Sequence, residues 1–112
     1  MKRTIKAFKI PCNGSLPELV EIPDELDVYQ EFVGGYIEIV HVHPDAIMVV
    51  NDAGLINGIP INFLASALYP GPFPICGNVW LVGDKHDEDF HDVPQRFIDK
   101  FGKLDKIHFI IV

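Results

Sequence analysis

From Ile10 to Asp84 the chain has no lysine and no arginine. The same stretch carries Glu18, Glu21, Asp24, Glu25, Asp27, Glu31, Glu38, Asp45, Asp52 and Asp84, a formal charge of −10. Such a surface repels phosphate backbones, so no nucleic-acid partner is expected. The nine basic residues sit at the ends: Lys2, Arg3, Lys6 and Lys9 before this stretch, and Lys85, Arg96, Lys100, Lys103 and Lys106 after it. Long apolar runs are also missing. No segment reaches the ~18 apolar residues of a membrane span. Lys6 and Lys9 interrupt the place where a signal peptide has its apolar core. A cytoplasmic protein with no membrane partner is therefore expected. Cysteine is scarce: Cys12 and Cys76 occur in no CxxC motif and are expected to be free thiols.

What remains is ordinary globular material. Of 112 residues, 48% are hydrophobic and 22% charged, which suits one domain over residues 1–112 with a core of its own. Residues 3–10 mix β-branched, aromatic and polar side chains as a half-buried strand does. The Asn13-Gly14 turn leads to a return strand at 18–22, completing a hairpin. Asp24 is placed to cap a helix over 24–33, with Leu26, Tyr29 and Val33 on its apolar stripe and Gly34-Gly35 as its stop. In the strand at 36–42, Ile37, Ile39 and either Val40 or Val42 compete for the inward face. The fully apolar strand at 46–50 reads as covered on both faces. Asn51 to Gly54 has the pattern of a type I turn, and Asn57-Gly58 follows so soon that the backbone between is compact.

Asn62 is placed to cap a short helix at 63–68, which Pro70, Pro72 and Pro74 stop. A core strand follows at 75–82. Asp92 and Gln95 then form a capping-box pattern for a helix at 93–101, and a last strand is read at 106–112. The order β-β-α-β-β-α-β-α-β predicts an α+β fold. It has a mixed, largely antiparallel sheet of five to six strands, and its two to three helices lie on one face.

Catalytic signatures are absent: there is no P-loop, no GxGxxG and no nucleophile elbow, and Ser15 and Ser66 have no visible base partner. His41 and His43 stand two apart on a strand, where both side chains leave the same face. That spacing can serve a metal, but it equally suits surface histidines. His86 to Asp92 gathers two imidazoles and four carboxylates, yet matches no zinc or calcium motif; an acidic loop before a helix accounts for it. Gly34-Gly35-Tyr36 reads as a helix stop, because the dipole at a helix C-terminus is wrong for anions. No enzyme, no cofactor and no tight metal are expected.

Four motifs carry a family resemblance. They are Phe32-Val-Gly-Gly-Tyr-Ile-Glu-Ile-Val40, Val49-Val-Asn-Asp-Ala-Gly-Leu55, Pro60-Ile-Asn-Phe-Leu-Ala65 and Ile75-Cys-Gly-Asn-Val-Trp-Leu-Val82. They resemble a small domain-of-unknown-function family carried by bacteriophages, plasmids and their hosts. The motifs span about half the chain, and no counterpart is placed from Asp84 onward. Asp52-Ala53 replaces the acidic pair usual in the second motif.

The resemblance implies an accessory protein of mobile elements, with a counter-defence role. It would be a non-enzymatic binder of a nucleotide-like signalling ligand or of a host defence protein. The polar motif residues Tyr36, Glu38, Asn51, Asp52, Asn57 and Asn62 are the candidate ligand-binding set, since they fall at strand ends and turns. A nucleotide would need Lys6, Lys9, Arg96 or Lys106, or a second subunit, so a homo-oligomer is expected in that case. Two alternatives stand beside this reading: a small metal-dependent hydrolase using His41/His43 or His86/His91, and an acidic mimic of nucleic acid.

Overall fold

The computed structural model describes residues 3–102. Strands β1 (Thr4–Ile10) and β2 (Glu18–Pro23) form the N-terminal hairpin, and helix α1 (Leu26–Val33) follows. Then come β3 (Ile37–His43), β4 (Ala46–Asn51), helix α2 (Phe63–Leu68), β5 (Val79–Gly83) and helix α3, over 95–102. The strands form one sheet in the order β2-β1-β5-β4-β3, and every pairing is antiparallel. This is the expected α+β fold. The strand read at 106–112 lies outside the described residues.

Strand alternation builds two cores from one sheet. Ile5, Ala7, Ile47, Val49, Trp80 and Val82 point to one face, where Tyr29 and Val33 of α1 cover them. Phe8, Ile10, Met48, Val50, Val79 and Leu81 point to the other, where Ala65 of α2 and Phe97 and Phe101 of α3 lie. Helices therefore cover both faces, not one. The strands β4 and β5, buried at every residue and apolar but for Asn51 at the end of β4, already require that.

Several local readings are corrected by the contacts. Asp24 does not cap α1. Helix α1 starts after Glu25, without a side-chain cap, while Asp24 accepts a 2.6 Å hydrogen bond from the Tyr29 hydroxyl and pairs with Arg3 at 3.6 Å. Leu26 is exposed rather than on the buried stripe. Gly34 does stop the helix, in the left-handed conformation at φ 83°, with its N–H donating to Gln30 O.

Asp92 does not cap α3 either. Beyond Phe8 and Leu81 the strands β1 and β5 part, and residues 91–93 fill the gap. Gly83 and His91 exchange backbone hydrogen bonds, Val93 N–H donates to Lys6 O, and Asp92 Oδ1 accepts from Lys6 N–H at 2.8 Å. A methyl group on Gly83 would overlap the Asp92 carbonyl oxygen, so the close approach requires glycine there.

Candidate functional site

The histidine pairs come apart in the fold. A β-bulge separates His41 from His43. His41 stands opposite Ile47, whose side chain enters the α1 core, while His43 stands opposite Ala46 on the other face, its ring 6.1 Å from that of Phe97. The extra bulge residue reverses the alternation, so the two imidazoles leave opposite faces. Within β3, Val40 and Val42 join the core under α2 and α3, while Ile37 packs on the α1 side. In the acidic loop, His91 Nε2 meets both Asp87 oxygens at 2.9 Å and His86 Nδ1 lies 3.5 Å from Asp84. The hydrogen bond to His91 holds the Asp87 carboxyl below the usual carboxylate range. No group of three or more metal-ligating side chains occurs among the described residues.

Three of the cations are already engaged, two of them by carboxylates of the acidic middle. Lys9 Nζ lies 4.8 Å from the Phe32 ring centre and 5.8 Å from that of Trp80. Arg96 donates to both oxygens of Asp45, at 2.6 and 2.5 Å, which lowers the Asp45 pKa and raises that of Arg96. Arg3 donates to the Phe90 carbonyl as well as pairing with Asp24. Lys6 is exposed on β1, and Lys106 lies outside the described residues.

One cleft, of about 270 Å³, opens where the sheet meets two loops. Its floor is Val40, Val50 and Ile75. One wall is the turn after β4. There Gly54 N–H reaches Asn51 O, Asn57 N–H reaches Ala53 O and Ile59 N–H reaches Gly54 O. These bonds make the segment as compact as its turn residues require, and they leave Leu55 and Ile56 outside any core. The other wall is Tyr69, Phe73 and Pro74, on a loop held because Ser66 Oγ accepts from Ile75 N–H at 2.9 Å. Glu38 and Asp52 supply two carboxylates, and none of the described lysines or arginines lines the cleft. Large apolar side chains stand open at its rim: Ile56 is 87% exposed, Phe73 66% and Leu55 55%. Cys76, a free thiol, lies on the buried side.

Of the six candidate residues, the fold brings Glu38, Asn51 and Asp52 to this cleft. Asn51 turns its amide inward, donating to Val33 O at 3.1 Å and accepting from Ala53 N–H at 2.8 Å, so it joins the end of α1 to the wall. Tyr36 lies in a separate shallow hollow with Asp27, Gln30, Glu31 and Gly35, and Asn57 is exposed on the turn outside the cleft. Asn62 is buried. Its Oδ1 caps α2 at Ala65 N–H, and its Nδ2 donates to the Ile10 and Gly77 carbonyls at 2.9 Å each. Sequence reasoning missed Leu55, Ile56, Tyr69 and Phe73. The readable signal was a pair of bulky apolar residues between two turn motifs, where no core position exists for them.

Chemically, the cleft can hold an apolar body beside a positively charged or hydrogen-donating group. The fold defines a small α+β domain, its antiparallel sheet covered on both faces. The chain belongs to the DUF3846 family, a domain of unknown function, whose model matches residues 5–105. That match runs beyond Asp84, so the resemblance is not confined to the four motifs before it. No curated protein and no solved structure matches the chain. No helix among the described residues is long and apolar enough to cross a membrane.

Proposed function

We propose that this chain is a non-enzymatic binding domain. Its cleft captures ligands or partner surfaces that combine an apolar body with positive charge. The observation that carries this is the lining: exposed Leu55, Ile56 and Phe73 converge with Glu38 and Asp52, and no described cation enters. Exposed apolar groups converging on a concave site are what binding surfaces have and solvated turns lack. In the mobile-element setting that the family resemblance implies, the use of such a cleft is counter-defence: occupying a component of the host defence, a protein in preference to an anionic nucleotide. The absence of cations carries that preference, since Lys9 and Arg96 are held elsewhere.

Titration calorimetry with a matched pair of probes tests it. Tryptamine and indole-3-acetate share an apolar body and differ in the sign of their charge. Tryptamine should bind and indole-3-acetate should not. Glu38→Gln and Phe73→Ala should each weaken tryptamine binding while leaving thermal unfolding within a few degrees of the parent. A panel of cyclic and linear signalling nucleotides is run alongside. A nucleotide recovered cleaved over many turnovers would make the protein an enzyme. A nucleotide bound intact, with dimer formation and cations from a second copy, would replace the charge argument. Either result defeats the proposal.

A further inference from the structure

The cleft lies beside the β3 edge of the described sheet. Strand β3 is outermost in the order β2-β1-β5-β4-β3, and among the described residues only β4 pairs with it. The register shows which of its backbone groups β4 leaves unused. Asp52 N–H donates to Tyr36 O at 3.0 Å, so Tyr36/Asp52 is a hydrogen-bonded pair. In an antiparallel ladder such pairs alternate, so Glu38/Val50 and Val40/Met48 are bonded pairs as well. The N–H and C=O groups of Ile37, Ile39 and His41 therefore point away from β4. The bulge between His41 and His43 ends this flat stretch.

We propose that β3 is a receptor strand, to which an extended segment of a partner protein, apolar and basic, adds along Ile37 to His41. This rests on the reading of the cleft as a binding site and names its occupant. Side chains of an added strand continue the alternation of its neighbour. Those on the Glu38 side enter the cleft beside Leu55, Phe73 and Asp52. Those on the opposite side meet Ile39, itself 44% exposed, and a hollow that Asp24, Leu26 and Glu88 line with Ile37. Glu38 and Asp52 thus flank one face of the edge and Glu88 the other, where Asp24 is already paired with Arg3. Sheet edges are commonly blunted by lysine or proline, and β3 contains neither. The charge complementarity selects a basic occupant, and the apolar walls select a β-forming one.

Four blocked probes and one variant decide the matter. The first probe is a peptide alternating valine and lysine, long enough to span Ile37 to His41. The second is the same peptide N-methylated at every other residue, which removes the backbone donors without changing charge. The third alternates valine and glutamate, and the fourth is tryptamine. The variant is Ile39→Pro, which deletes an outward N–H that the β3–β4 ladder does not use.

The valine–lysine peptide should bind and should slow amide exchange at Ile37, Ile39 and His41. N-methylation of the peptide, or Ile39→Pro with an unchanged circular dichroism spectrum, should each weaken binding by ~10-fold or more, the equivalent of one or more lost backbone hydrogen bonds. If Ile39→Pro fails to fold, the N-methylated peptide decides alone. Equal binding of the N-methylated peptide, or tryptamine binding with no peptide binding, overturns strand addition and leaves the cleft as a site. Equal binding of the valine–glutamate peptide overturns the choice of a basic partner. Edge amides protected in a dimer without peptide would make the occupant a second copy and overturn the proposal. If neither tryptamine nor any peptide binds, both readings fall.

Discussion

Strands β3 and β4 lie side by side with comparable sequences, IEIVHVH and AIMVVN, yet β4 is buried at all of its residues and β3 at one. Composition does not account for this, because Ile37, Ile39, Val40 and Val42 are as apolar as their neighbours across the ladder. Position does. Strand β4 has a strand on each side, α1 on one face and the α2–α3 core on the other. Among the described residues β3 has one neighbour, and its Ile39 and His41 stand exposed. The polar residues of β3, Glu38, His41 and His43, are all exposed. In β4 the one polar residue, Asn51, is buried with both ends of its amide bonded. One strand is thus a structural core and the other a surface at which backbone, carboxylates and apolar rim become available together.

The comparison breaks if truncations on the two strand types cost the same. Leu81 in β5 is fully buried, so Leu81→Ala should lower unfolding free energy by about 3 kcal/mol, counting lost transfer energy and the cavity left behind. Ile39→Ala on β3 should change it by under ~0.5 kcal/mol. Denaturant titration measures both, and comparable losses would mean that something covers β3. Next in size comes Asn62→Ala, at about 2 kcal/mol. It removes the α2 cap and leaves the Ile10 and Gly77 carbonyls without their buried donor. A binding defect in this variant without a stability loss would return Asn62 to the ligand set.

The regular parts of the fold were legible in the sequence because each rests on a local rule. The Asn13-Gly14 hairpin, the Gly34 stop, the Asn62 cap and the burial of Val49, Val79 and Leu81 all follow from spacing and turn chemistry. The two misplaced caps share one cause: a carboxylate expected to bond helix amides took other partners. Asp24 bonds Tyr29 and Arg3 in place of the helix amides, and Asp92 bonds Lys6 across the molecule. The separation of His41 from His43 was illegible because a bulge is a property of a strand pair, not of one strand. The site was half legible. Glu38, Asn51 and Asp52, expected as turn and strand-end polar residues, line the cleft, while its apolar walls depend on the loops at Leu55 and Phe73 meeting in space.

A smaller effect separates packing from hydrogen bonding on the closed face. The Tyr29 ring packs edge-on against Trp80 and Phe90, and its hydroxyl donates to Asp24 at 2.6 Å. Burial, together with the hydrogen bond to Asp24, raises its pKa. Tyr29→Phe keeps the ring and should cost about 1 kcal/mol in denaturant titration. A loss as large as that of Leu81→Ala would mean that the Arg3–Asp24 pair depends on the hydroxyl, placing the closed face under polar as well as apolar control.

The smallest effect concerns the β3–β4 turn, the end of this hairpin tied to the rest of the molecule. Asp45 in that turn is held by the two Arg96 hydrogen bonds from α3, and they lower its carboxyl pKa below the ordinary 3.8. A group whose pKa is lower folded than unfolded binds protons more readily when unfolded. Its contribution to stability is therefore complete above the ordinary carboxylate range and is lost as pH falls through the lowered folded value. Both side chains are about half exposed, so the pair is screened and should contribute under ~1 kcal/mol. Asp45→Asn should accordingly be slightly less stable than the parent at neutral pH and low salt, with the gap closing as pH falls below the ordinary carboxylate range and in high salt. A gap that persists in acid would assign the stabilisation to packing of Arg96 over the Phe97 ring, 4.7 Å away, and would remove the electrostatic tie between α3 and the outer hairpin.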